Sequence, residues 1–103
     1  MKVYISGDET KVEQFARAER YLLLLDQTPI NTLLVNLSKL KLTERELIKA
    51  NFDILSTCEC IYMLKGWQRS KRAKAELAYA KLLNIKVKYE DKQWALKKQQ
   101  ITM

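Results

Sequence analysis

The chain has 103 residues, 48% of them hydrophobic and 30% charged, which fits one small domain with its own core and excludes a disordered chain. It carries 19 Lys/Arg against 12 Asp/Glu, a formal net charge of +7, and no histidine. The missing imidazole excludes Ser-His and Cys-His nucleophile pairs and the common histidine metal sites, so any catalysis is expected to fall to carboxylates.

In chain order, "KVYIS" (Lys2–Ser6) reads as a buried strand. "DETKVEQFARAERYLLLLD" reads as a helix. Val12, Phe15, Ala16, Ala18, Tyr21, Leu22 and Leu25 build its apolar side, and Thr10 and Glu13 have capping-box spacing. Pro29 breaks the pattern, and "NTLLVNL" (31–37) is the expected second strand. "LTERELIKANFDILSTC" is a second helix, with Thr43 and Glu46 again at capping-box spacing. Ile48, Phe52 and Leu55 share one side, with Leu47, Asn51 and Ile54 beside them. "CIYML" is the third strand, ended by Gly66. "SKRAKAELAYAKLL" is the third helix, with Ala73, Leu77, Ala80 and Leu83 on one face, and "IKVKYE" is the fourth strand. Residues 91–103 form a basic terminal helix or tail beyond a domain spanning 1–90.

Strands alternating with helices predict βαβ units: an α/β three-layer sandwich with a parallel sheet of about four strands and helices on both faces. Ligands of such sheets bind outside the carboxyl ends of the strands, where strand order reverses. The turns "SGDET" and "KGWQRS" are expected to line one crevice there.

No apolar stretch is long enough to span a bilayer, and the acids Asp8 and Glu9 follow the start too closely for a signal peptide. A cytoplasmic protein with no membrane partner is expected. Cys58 and Cys60 read as buried thiols, since a disulfide across one residue is strained and two ligands do not make a zinc site. Charge is uneven: residues 1–63 hold eight Lys/Arg against nine Asp/Glu, and residues 64–103 hold eleven against three. A basic half attracts phosphates, nucleic acid or acidic surfaces, or is a solvated lysine face; the tail has no nucleic-acid-binding motif.

Glu76 is either a surface acid offsetting Lys74 and Arg72 or a group at the ligand edge; it lies three residues after Ala73 and four before Ala80. Asp53, late in the second helix, is either solvated or turned toward the sheet. Two carboxylates converging on a sugar carbon suit glycosidic-bond chemistry, one attacking and one protonating the leaving group. Gly7, between a strand and a helix, allows close backbone approach to a ligand. Ser70 is a natural N-cap. Lys71 and Arg72 in the first helical turn oppose the helix dipole and draw in an anion. Trp67, after Gly66, either stacks on a base or covers the core edge. Tyr4 is a core residue unless its hydroxyl reaches the crevice.

"KVYISG", "FDILSTCECIYMLKGWQRS" and the following "A-x-x-E-L-A-x-A" together resemble the nucleoside 2-deoxyribosyltransferase-like superfamily, over about Lys2 to Tyr89. The nearest pattern is that of its small bacterial and phage branch, with a GW-x-x-S-x-G-A-x-x-E-like signature. The resemblance implies a flavodoxin-like or Rossmann-like domain, usually in a homo-oligomer, with no metal or organic cofactor. It implies that Glu76 attacks C1′ of a 2′-deoxyriboside and expels the base, that Asp53 assists protonation, and that Ser70 contacts a sugar hydroxyl or phosphate. Tyr4, Ser6 and Gly7 then face the substrate. The chain departs from the pattern at Asp8-Glu9-Thr10, where small residues, proline and a second glycine are usual. It departs again at Arg72, where glycine is usual, and at Glu59, where aspartate is usual. Two functions are carried forward: an N-glycosidase or deoxyribosyltransferase acting on a nucleoside or nucleotide, or a non-catalytic nucleotide- or nucleic-acid-binding module on the same fold.

Overall fold

The structure, a computed structural model, describes residues 1–33 and 42–90. Four strands, β1 (Lys2–Ser6), β2 (Thr28–Ile30), β3 (Cys60–Met63) and β4 (Lys86–Tyr89), form one parallel sheet in the order β2-β1-β3-β4. Three helices, α1 (Val12–Leu24), α2 (Glu44–Ser56) and α3 (Lys71–Leu82), cover its faces, and Trp67–Arg69 form a single 3₁₀ turn before α3.

The central strands are apolar without alternation because both faces are covered. Alternate residues nonetheless go to different cores. Val3, Ile5, Cys60, Tyr62 and Leu64 pack with Phe15, Ala18 and Leu22 of α1. Tyr4, Ile61 and Met63 pack with Leu55, Cys58, Ala73, Leu77 and Ala80, on the side of α2 and α3. The expected three-layer α/β sandwich is therefore present, with a Rossmann-like parallel sheet. Cys58 and Cys60 are free and buried, and they face opposite cores because Cys58 precedes the strand.

Several local expectations are corrected. The second strand is Thr28–Ile30, not 31–37. Pro29 sits inside it, which an edge strand tolerates because its missing N–H faces away from β1, its neighbour among the described residues. Thr32 and Leu33 are helical, and the Asn31 side chain accepts from Leu33 N–H at 3.1 Å; residues 34–37 lie outside the described residues. Thr10 does not cap α1, which starts one residue after Lys11 without a side-chain cap. Asp8 takes both the Thr10 hydroxyl, at 2.6 Å, and the Thr10 N–H, at 3.0 Å, in a local turn that competes with capping. Val12 is 61% exposed and Leu25 47%, because both lie at the ends of α1, past the short strands it covers. Leu83 is likewise exposed, just beyond α3.

The capping box on α2 is present: Thr43 Oγ1 accepts from Glu46 N–H and Glu46 Oε1 accepts from Thr43 N–H, at 3.2 Å each. Among the described residues no helix is long and apolar enough to cross a membrane. The expected basic tail, 91–103, lies outside the described residues.

Candidate functional site

The chain leaves β1 toward β2 on one side and returns to β3 on the other, so the order reverses between β1 and β3. Above that reversal, the loop after β1, the start of α3 and one stripe of α2 line a hollow of about 600 Å³, within the general size range of ligand clefts. Asp8, Glu9 and Thr10 line it from the loop. Glu44, Ile48 and Phe52 line it from α2, and Arg69, Ser70, Lys71, Arg72, Ala75 and Glu76 from the α3 side.

Glu76 is the chemical centre of this region. It is 3% exposed, a placement that an isolated charge does not tolerate. Its two oxygens are separately held: Tyr4 Oη donates to Oε2 at 2.5 Å and Ser6 Oγ donates to Oε1 at 2.6 Å. Both donors come from β1, two residues apart, so the pleat turns them to the same face. The spacing that carries Ala73 and Leu77 into the sheet carries Glu76 there too.

Burial pushes the Glu76 carboxyl above the usual glutamate range. The Ser6 and Tyr4 hydroxyls and the Arg72 charge pull it back down, and Glu9 pushes it up again. Burial first, then the Glu76 charge, pushes the Tyr4 phenol far up, so Tyr4 stays neutral and donates. Thr32 adds a side-chain hydrogen bond to the Tyr4 oxygen. The group is thus a buried carboxylate with an oriented donor on each oxygen, adjoining a hollow with cations on its rim.

The other expected site residues divide. Ser70, Lys71 and Arg72 reach the hollow. Ser70 is the N-cap of α3: its Oγ accepts from Ala73 N–H at 3.0 Å and donates to Glu9 Oε2 at 2.8 Å, so its proton is committed to Glu9. Asp53 is corrected. It is exposed and does not line the hollow, because the stripe Glu44, Ile48, Phe52 faces inward and Asp53 follows Phe52 by one residue, about 100° around the helix. Trp67 is also corrected from base stacking to covering the core edge, with its ring centroid 6.1 Å from that of Tyr89 and outside the hollow.

Gly66 and Gly7 do not line the hollow; their roles are in the backbone. Gly66 has φ +87°, a left-handed turn that ends β3. A Cβ on Gly7 would lie 2.9 Å from Leu64 Cβ, so the close approach is to Leu64 rather than to a ligand.

Other residues that the sequence did not single out for the site also contribute to it or adjoin it. Glu9 and Arg69 line the hollow, and Thr32 bonds Tyr4. Asn51 on α2 is 1% exposed, with both Oδ1 and Nδ2 lacking a hydrogen-bond partner among the described residues. Its sequence signal was an amide beside an apolar stripe. Among the described residues no cluster of three His, Cys, Asp or Glu is placed to hold a metal ion.

The fold and the site together define the class: a parallel α/β domain with a buried, doubly hydrogen-bonded carboxylate at its switch point. By its family model, matched over residues 1–89, the chain belongs to the family described as "Domain of unknown function (DUF4406)". No curated protein and no solved structure matches the chain.

Proposed function

We propose that this protein cleaves the N-glycosidic bond of a nucleoside or nucleotide, with Glu76 as nucleophile. The observation that carries the reading is the Glu76 carboxylate, gripped by Tyr4 and Ser6 against one wall of the hollow. A carboxylate oxygen attacks C1′ of the sugar, the C1′–N bond breaks, and its electron pair leaves with the base. Water or a second base then attacks C1′, the bond from C1′ to the Glu76 oxygen breaks, and the proton given up by the attacking water or base goes to the base that left. Tyr4 and Ser6 hold the carboxylate in one orientation and favour its ionised form. With Asp53 in solvent, the second carboxylate of this reading is Glu9, which lines the same hollow and acts electrostatically on Glu76.

The test is incubation with a panel of 2′-deoxynucleosides and their 5′-monophosphates, with released base measured by chromatography. Release by the wild type, abolished in Glu76→Ala, is expected. No release from any member, or release that persists without Glu76, defeats the reading.

A second reading is a non-catalytic nucleotide-binding module. It is favoured by the exposed position of Asp53 and by the cationic rim of Arg69, Lys71 and Arg72. It expects salt-sensitive binding of a nucleotide with no base released.

A further inference from the structure

The hollow has two unlike walls. Asp8, Glu9, Arg69, Lys71 and Arg72 bring charge to one; Ile48, Phe52 and Ala75 make the other apolar, with Glu44 a charged neighbour on the same α2 stripe. Glu44, Ile48 and Phe52 follow one another at intervals of four along α2, and Arg72, Ala75 and Tyr79 follow at three and four along α3, so each set forms one stripe. Both helices lead into strands of the same parallel sheet and therefore run the same way. Their stripes meet where Phe52 and Tyr79 stack, with centroids 4.5 Å apart and planes at 10°. Phe52 lines the hollow and Tyr79 does not. Tyr79 thus covers one face of the Phe52 ring, and Phe52 meets the hollow with surface that Tyr79 leaves uncovered.

We infer that this wall seats a planar aromatic ring stacked on Phe52, with Ile48 and Ala75 as its apolar border. That the ring is the base of a nucleoside rests on the reaction proposed above; that an aromatic ring binds there does not. Aromatic surface beside aliphatic side chains offers contact area and no hydrogen bonds. It suits the flat face of a purine or pyrimidine, whose polar groups lie in the ring plane and stay free to bond elsewhere. The charged wall and Glu76 remain for the polar remainder of the ligand. Base–aromatic stacking of this kind is lost on truncation by roughly ten- to a hundredfold in affinity.

The experiment is equilibrium titration of free adenine, free thymine and 2-deoxyribose against the wild type, Phe52→Leu and Phe52→Trp. Urea unfolding of each variant confirms that it is folded. Adenine is expected to bind the wild type, to bind Phe52→Leu about tenfold more weakly or worse, and to be retained by Phe52→Trp; 2-deoxyribose is expected to be indifferent to Phe52. Equal adenine affinity in the wild type and Phe52→Leu, or no binding of either base, overturns the inference. Phe52-dependent base binding without turnover of any deoxynucleoside leaves the ring seat standing and removes the N-glycosidase reading. Turnover with base binding indifferent to Phe52 does the reverse.

Discussion

Replacing Tyr4 with phenylalanine removes one oxygen from a fully buried ring and leaves the packing volume nearly unchanged. What it deletes is the donor to Glu76 Oε2, together with the acceptor that Thr32 uses. A hydrogen bond to a charged group contributes about 1.5–3 kcal/mol, and one between neutral groups about 0.5–1.5 kcal/mol. The cost of Tyr4→Phe therefore depends on whether Glu76 is ionised. The folded-state pKa of Glu76 is raised, so the folded protein holds that proton more tightly than the unfolded chain does. The stability this confers is fully present below the unfolded pKa and is lost as pH rises through the folded pKa. The Tyr4 bond opposes that rise; deleting it moves the folded pKa higher still. The stability gap between wild type and Tyr4→Phe is accordingly expected to widen with pH, from the neutral-bond range in acid to about 1.5–3 kcal/mol once Glu76 is ionised. Urea unfolding followed by circular dichroism at a series of pH values from acid to mildly alkaline measures it. A gap that is constant over that whole range, or that narrows as pH rises, refutes the assignment of Tyr4 as donor to a buried carboxylate.

Three further outcomes follow from particular contacts. Gly7→Ala places a methyl group 2.9 Å from Leu64 Cβ and is expected to lower stability in chemical unfolding by about 1–3 kcal/mol, as overpacking does. Asn51→Leu replaces a buried amide that has no partner among the described residues; it is expected to raise the unfolding free energy, by about 1–3 kcal/mol if the whole desolvation cost is recovered, and with it the urea midpoint. Asp53→Ala is expected to change stability by less than about 0.5 kcal/mol, as at other surface positions, and to leave base release unaltered, which the chromatographic assay checks.

The layer order and most element types were legible because they rest on strong local signals. β1 and β3 are short apolar runs, Ser70 caps α3, and Thr43 with Glu46 caps α2. β2 was misplaced because its three residues include Pro29, and proline in a strand is acceptable only at an edge, a fact of topology rather than of local sequence. Glu76 was legible as an acid at helical spacing from Ala73 and Ala80, yet its two donors were not. Tyr4 and Ser6 read equally well as strand residues until the sheet brings them 72 and 70 positions along the chain to the same carboxylate. Asp53 illustrates the opposite failure: residue type suggested an acid for the pair, whereas the direction of one helical stripe turned Phe52 into the hollow and left Asp53 in solvent. Glu9 gave no local signal either, because Ser70, whose hydroxyl donates to it, lies 61 positions along the chain.

The central claim is that the Glu76 carboxylate forms a bond to the sugar. The most direct measurement is mass spectrometry of the protein quenched during reaction with a 2-deoxy-2-fluoro-arabinosyl nucleoside, chosen because the fluorine slows release of the sugar from the protein. The account predicts a fluorosugar ester mapped to Glu76 and absent from Glu76→Gln. Base release with no adduct on the protein, or an adduct on another side chain, contradicts it.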